Sequence, residues 1–335
     1  GKDPELKDNP INPDFTPGHG SDYHSLVHEN DQHWPQQYNY LNEMASVLKE
    51  KRFAHKHRFM ITEGYTRGID QIGEYMNYYQ GVDPSVAAPF IFEGIHLPWE
   101  AEAWRKFLQE FHDALDNVHP LAIASYAFGN HDKPRLVSRL GEPKARAAAL
   151  MKLTLPGMIF VYYGEDIGMH DVNIPKDKVM DPSAVGQLEE GRDPERTPMQ
   201  WSSGFQAGFS TNQETWLPVA SDYKTNNVAS QITDPTSFLN LYKTLIDIRR
   251  SSKALTHGDI KIISEPDSPV LCYSRQKDHE SFMVVINFTK NKRKYQLNNK
   301  GQILISSLVG IPFEIESTDN LELKAYEAVL IKYSH

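Results

Sequence analysis

Three apolar runs in the sequence break into groups that can hold or move a proton. FMIT (59–62) runs into Glu63; SYAF (125–128) into Gly129, Asn130, His131 and Asp132; FVYY (160–163) into Gly164, Glu165 and Asp166. Each has an ordinary structural explanation. An acid after a strand caps the next helix, Asn and Asp favour turns, and Glu165 reads readily as a helix-start acid. Taken together, Glu63 and Asp132 read as paired carboxylates for acid–base work on an acetal. Cleaving a glycosidic bond needs a proton on the leaving oxygen and negative charge facing an oxocarbenium-like transition state. A Glu whose pKa is raised by burial or by neighbouring carboxylates can carry that proton near neutrality. An Asp and a His at a neighbouring strand end can hydrogen-bond sugar hydroxyls beside the reacting carbon.

Such groups need strands to carry them. RFMIT (58–62) precedes a helical stretch near 70–80, APFIFEGIH (88–96) precedes the amphipathic 99–117, LAIASYAF (121–128) precedes the Ala-rich 143–153, and GMIFVYY (157–163) precedes a long insertion. Four β-then-α units in a row predict a parallel sheet, and runs this continuous suit strands buried on both faces. In such arrays active sites gather at the carboxyl ends of the strands. A closed (β/α)8 barrel needs eight strands, twice the number present.

Residues 1–33, rich in Asp, Asn, Pro, Gly and His, read as a long irregular loop, after which Trp34 and Pro35 open a helix. Asp234 is the expected N-cap of the helix in TDPTSFLNLYKTLIDIRRS, with Pro235 in its first turn. From about Gly258 the period becomes two. DIKIIS, VLCYSR, SFMVVINFT, KYQL, ILISS and AYEAVLIKY predict a small antiparallel β domain, with TKNKRKYQLNNKG as a solvated hairpin region.

The composition is that of a globular chain: 335 residues, 39% apolar, with a net charge of −9 that argues against a nucleic-acid partner. No apolar run approaches the roughly 20 residues that span a bilayer, so no membrane partner is expected. Cys272 is the single cysteine, a strand residue by its context; the absence of a possible intrachain disulfide fits a reducing compartment, and the cytoplasm is the expected location.

ITEGY (61–65), GNHDKPRLVSRLG (129–141), LPGMIFVYYGEDIGM (155–169) and GRDPERTPMQW (191–201) resemble, in order and spacing, consecutive motifs of the α-glucosidase and oligo-1,6-glucosidase branch of the α-amylase superfamily, glycoside hydrolase family 13. They match the fifth, seventh and eighth strands of that family's barrel and the loop after the eighth. TWLPVASDYKTNNVASQ and residues 241–255 extend the likeness, and KDPELKDNPINPD resembles the loop after the fourth strand. The resemblance implies an α/β fold: the second half of a TIM (β/α)8 barrel over residues 1–255, with a long insertion at 166–232 after the eighth strand, then an antiparallel β-sandwich domain over 256–335. It implies that Glu63 is the general acid/base, that Asp132 binds sugar hydroxyls and stabilises the transition state, and that His131 binds substrate beside it. Arg196 is implied to contact the glucose at the non-reducing end; its structural alternative is a loop salt bridge.

The family hydrolyses with retention, using a nucleophilic Asp in a Gly-Phe-Arg-x-Asp-like motif on the fourth strand. This sequence has no such motif, and TRGID (66–70) follows Glu63 and heads a helix instead. The resemblance therefore implies a retaining α-glucosidase acting on the terminal non-reducing α-glucosyl unit of small maltose-, isomaltose- or sucrose-type substrates. An N-terminal fragment, docked as a separate chain or its equivalent, would complete the barrel and supply the nucleophile. This chain alone is expected to be inactive. It needs no cofactor of its own; any structural calcium falls to the preceding half. The alternatives are a catalytically inactive relative serving as a binding or transporter-associated subunit, and a related glucosyl transferase or isomerase.

Overall fold

The computed structural model describes residues 7–15, 25–28, 30, 36–53, 55–64, 71–184, 191–297, 301–309, 312–316 and 320–333. Trp34, Pro35, the TRGID segment and Asn298–Lys300 lie outside them. The chain divides into two compact units. One holds Gly1–Phe90, Ala114–Ile123 and Pro182–Gly191; the other holds Ile91–Asp113, Ala124–Asp181 and Arg192–His335.

In the first unit, α1 (Gln37–Val47) is followed by β1 (Met60–Thr62), α2 (Gln71–Gly81) and β2 (Ala87–Pro89). β1 and β2 pair in parallel, Met60 opposite Ala87 and Thr62 opposite Pro89. α2 buries Tyr75, Tyr78 and Tyr79, the last donating its hydroxyl hydrogen to the Ile123 carbonyl at 2.7 Å. Within the expected N-terminal loop, Ile11 and Leu26 form an antiparallel bridge.

The second unit opens with a departure from expectation. The run APFIFEGIH does not stay extended, because Glu93–His96 forms a one-turn helix, α3. Gly94 permits it: a Cβ there would meet the Phe128 ring at 2.0 Å. The amphipathic stretch forms α4 (Ala101–Val118), whose part in this unit buries Trp104, Phe107, Leu108 and Phe111 along one face. β3 (Ser125–Ala127), α5 (Leu136–Leu140), α6 (Glu142–Thr154) and β4 (Met158–Phe160) follow. β3 and β4 pair in parallel, Ser125 opposite Met158, and Ile91 bridges Tyr126 in parallel. Gly157 leads into β4 at φ +94, where a Cβ would strike the Ala124 carbonyl oxygen at 2.3 Å.

The insertion ends in α7 (Val228–Ile232), and α8 (Phe238–Arg250) and α9 (Lys253–His257) follow. Asp234 is not the N-cap of α8. Its Oδ1 accepts the Thr236 backbone N–H and hydroxyl at 2.8 and 2.7 Å, closing a local turn. Ser237 caps the helix instead, accepting the Asn240 N–H.

β5 (Asp259–Ile262), β6 (Val270–Lys277), β7 (Glu280–Asn287), β8 (Arg293–Gln296), β9 (Gln302–Ser306), β10 (Pro312–Glu316), β11 (Asn320–Leu323) and β12 (Ala328–Tyr333) complete the chain. Six of them form an antiparallel sheet in the order β10-β9-β12-β7-β6-β5, and β8 pairs with β11. Cys272, Val285, Val329 and Ile331 from the large sheet share a buried cluster with Leu321 and Leu323 from β11. β10 and β11 add to the expected strands; β11 alternates Leu321 in, Glu322 out, Leu323 in.

Arginines join this sheet to α6. Arg249 of α8 donates to the Leu153, Leu155 and Gly157 carbonyls at 3.0, 2.6 and 2.6 Å, and Arg275 of β6 donates to Thr154. The Leu153, Thr154 and Leu155 carbonyls are those that the end of α6 leaves without partners. Burial lowers the pKa of both arginines to about 10, so each still carries its charge at neutrality, favourably placed at a helix C-terminus.

Candidate active site

β3 ends under Phe128, and the chain turns at Gly129 into the polar group. Asn130 Oδ1 accepts the Asp132 N–H at 3.0 Å, an Asx-type turn that fixes where Asp132 leaves the strand. Asp132 is largely buried, and its two carboxylate oxygens have different surroundings. Oδ1 accepts Arg192 Nη1 at 3.0 Å and Arg196 Nη2 at 2.9 Å. Among the described residues, Oδ2 faces only His131 Nε2, at 3.5 Å, too long for a strong hydrogen bond. His131 itself is exposed. One oxygen is thus clamped by two guanidinium groups, and the other can accept a hydrogen bond from a ligand.

The arginines are set by a short 3-10 helix, Asp193–Arg196, that begins with a proline in its first turn. Arg196 Nε also donates to the His131 carbonyl at 2.7 Å, so this side chain grips the turn twice. Arg192 is held from behind by Asp181, whose side chain is fully buried; Nε and Nη2 donate to its two oxygens at 2.8 and 3.0 Å. The hydrogen bond to Asp181 raises the Arg192 pKa further above its ordinary value. Asp193 Oδ2 accepts the backbone N–H groups of Met180 and Asp181, tying that stretch of the insertion to the 3-10 helix that carries the arginines.

Asp132, His131 and Arg196 are therefore brought together, with Arg196 in the ion pair that its structural alternative describes. Glu63 directly follows β1 in the first unit, with an exposed side chain. Arg192 and Asp181 were not among the expected site residues. Arg192 had a signal, standing four residues before Arg196 in the same GRDPER stretch; Asp181, 49 positions from Asp132 in sequence, had none. Among the described residues no group of three or more His, Cys, Asp or Glu side chains gathers to hold a metal ion, and no helix is long and apolar enough to cross a membrane.

The third strand end does a different job. Glu165 Oε1 accepts from Lys152 Nζ and from the Tyr242 hydroxyl at 2.9 Å, while Oε2 accepts the Tyr162 N–H at 3.1 Å. Lys152 is fully buried. Glu165 locks β4 to α6 and α8, and it also begins the short 3-10 helix Glu165–Ile167, the helix-start position read for it from sequence. Beside the site, burial pushes Glu195 up to about 7 from 4.5. A carboxyl raised in the folded state is at no disadvantage below its unfolded pKa, and it costs stability as pH climbs through the window from 4.5 to about 7. Glu195→Gln should therefore raise Tm at pH 8 by an amount equivalent to about 1 kcal/mol and leave it unchanged at pH 4. An equal gain at both pH values in thermal melts would assign the effect to something other than titration.

A model of the alpha-amylase catalytic domain matches residues 2–258. The chain belongs to the alpha-amylase family. The salivary alpha-glucosidase of Aedes aegypti is 37% identical over 270 residues, 78% of this chain and 46% of that protein. The alpha-glucosidase of Apis mellifera is 31% identical over 87% of this chain and 50% of its own length, and the oligo-1,6-glucosidase of Bacillus cereus is 31% identical over 62% and 42%. The chain spans about half the length of the curated relatives it matches. Among solved structures, the alpha-glucosyl transfer enzyme XgtA superposes with a TM-score of 0.82 at 22% identity, over 99% of this chain and 61% of that one. A mutant of the trehalulose synthase MutB gives 0.74 at 25% identity, over 90% and 60%. These likenesses, with the parallel pairs β1–β2 and β3–β4 and the C-terminal antiparallel sheet, establish an alpha-amylase-family barrel fold with a C-terminal β domain.

Proposed function

We propose that this chain is the C-terminal part of a retaining α-glucosidase that releases the terminal non-reducing glucose of small α-glucosides. The observation that carries this reading is the divided carboxylate of Asp132. Oδ1 is clamped by Arg192 and Arg196, while Oδ2 is open beside an exposed His131. That arrangement suits a group that accepts hydrogen bonds from sugar hydroxyls and tightens them as positive charge builds on the ring. Glu63, exposed at a parallel strand's carboxyl end, protonates the leaving oxygen and then activates water.

The nucleophilic Asp comes from a preceding half that completes the barrel, and its carboxyl lies about 5–5.5 Å from that of Glu63, the spacing of retaining enzymes. The test is hydrolysis of p-nitrophenyl α-glucoside by the complete assembly, with the released anomer followed by proton NMR. α-Glucose as the first product supports the reading. β-Glucose as the first product excludes retention, and no turnover favours an inactive binding subunit.

A transferase reading has its own support in the names of two structural neighbours, an alpha-glucosyl transfer enzyme and a trehalulose synthase. Products of sucrose turnover separate the two: free glucose and fructose for a hydrolase, a rearranged or transferred glucoside for a transferase.

A further inference from the structure

Each arginine at Asp132 carries a fork that can take a whole carboxylate, and neither uses it there. An arginine meets a carboxylate most strongly with two parallel N–H groups, one to each oxygen. Arg196 divides its donors instead: Nε goes to the His131 carbonyl at 2.7 Å and Nη2 to Asp132 Oδ1 at 2.9 Å. Arg192 does place two donors on one carboxylate, but that carboxylate is Asp181, met by Nε and Nη2 at 2.8 and 3.0 Å. Asp132 Oδ1 receives Nη1, at 3.0 Å. The clamp on a single oxygen of Asp132 therefore depends on a second acid that occupies the fork.

Asp181 is itself immobile. Its side chain is fully buried, and its Oδ2 accepts the Arg192 backbone N–H at 2.8 Å as well as Nε. Its own backbone N–H donates to Asp193 Oδ2 at 2.9 Å. The two segments hold each other: Asp193 fixes the backbone at 181, and Asp181 fixes both the backbone and the guanidinium of Arg192. Freed from Asp181, that guanidinium turns about its side-chain bonds and presents two N–H groups to the carboxylate it already touches, Asp132. A forked pair there covers Oδ2 as well as Oδ1.

We propose that Asp181 is a positioning residue for sugar binding: by holding the Arg192 fork, it confines that arginine to Asp132 Oδ1 and keeps Oδ2 available to a substrate hydroxyl. This rests on the role proposed above for Asp132. Asp181 acts through Arg192 and needs no contact with the sugar.

The test uses the complete enzyme and two substrates, p-nitrophenyl α-glucoside and its 2-deoxy counterpart, which lacks the hydroxyl beside the reacting carbon. The ratio of their kcat/KM values does not depend on how much of a preparation is folded. Asp181→Asn and Asp181→Ser, two variants that differ in bulk, should each lower the ratio at least about tenfold, the weight of one hydrogen bond to a charged group. The loss should fall on the glucoside, with the 2-deoxy substrate changed less than about twofold. A lysine has no fork, so in an Arg192→Lys background Asp181→Asn should move the ratio less than about twofold. Equal losses on both substrates, or an unchanged ratio, overturn the proposal and leave the proposed function standing. A full effect in the lysine background overturns the route through Arg192. A parent enzyme without turnover removes the proposed hydrolysis instead, and the ratio is then read from the dissociation constants of glucose and 2-deoxyglucose by calorimetry. Parent binding that does not distinguish the two sugars, or no binding of either, overturns the positioning role as well.

Discussion

Glu63→Gln in the complete enzyme should lower kcat on maltose-type substrates by about 10³-fold or more, with little change in fold. Glutamine keeps the shape of the side chain and its carbonyl acceptor but has no proton to give an alkoxide. A sugar leaving group departs poorly without that proton, so bond cleavage becomes limiting. An aryl glucoside with an acidic phenol needs far less help to leave, and its first step should be nearly spared. The second step still needs a base to activate water, so the glucosyl-enzyme should accumulate as a burst. Azide, a nucleophile that needs no deprotonation, should then restore turnover. Burst and rescue together separate an acid/base from a residue that merely shapes the site. Near-normal activity on maltose would remove Glu63 from the mechanism. Asp132→Asn, by contrast, should damage both steps for every leaving group and should not respond to azide, because its proposed partner is the sugar ring.

The positions of these residues were legible because they sit where an apolar run stops. Continuous burial on both faces of a parallel strand makes the run visible, and the abrupt polar end marks the face where chemistry gathers. The runs overstate the ladders, however. LAIASYAF contributes only Ser125–Ala127 to pairing, and Leu121 is exposed. APFIFEGIH turns helical at Glu93 because Gly94 lets the backbone press on Phe128. Apolarity records burial, and a buried turn of helix carries the same signal as a buried strand. The α8 cap slipped from Asp234 to Ser237 for a similar reason: two good capping residues lie three apart, and Asp234 was taken by a turn.

The partners that give the site its character are of another kind. Arg192 reaches Asp132 across 60 residues, and no local pattern records a contact at that separation. Asp181 acts only through Arg192. The C-terminal sheet was legible by its period of two, except β10 and β11.

Lys152→Met should destabilise the complete protein by about 3–5 kcal/mol, the usual cost of leaving a buried charge without its partner. Lys152 lies in the Ala-rich helix α6, where nothing in sequence distinguishes it from a solvated lysine; it is nonetheless fully buried against Glu165. The pair is not an isolated bridge. Glu165 also accepts from Tyr242 and from the Tyr162 backbone, so removing Lys152 strands a carboxylate that two other groups still require as an acceptor. The prediction has an internal control. Lys152→Met combined with Glu165→Gln removes the orphaned charge while keeping an amide oxygen for Tyr242, and should recover a large part of the loss. Urea denaturation of the two variants reads the difference directly. If the double variant is as unstable as the single one, packing around the lysine stem, and not the uncompensated charge, sets the cost. If it recovers, Glu165 differs from Asp132 in physics as well as in place. Both are acids at the carboxyl ends of adjacent parallel strands, but both oxygens of Glu165 accept hydrogen bonds from neighbouring groups, whereas among the described residues Asp132 Oδ2 has only His131 at 3.5 Å. That contrast is what distinguishes a carboxylate that holds the barrel from one that can hold a sugar.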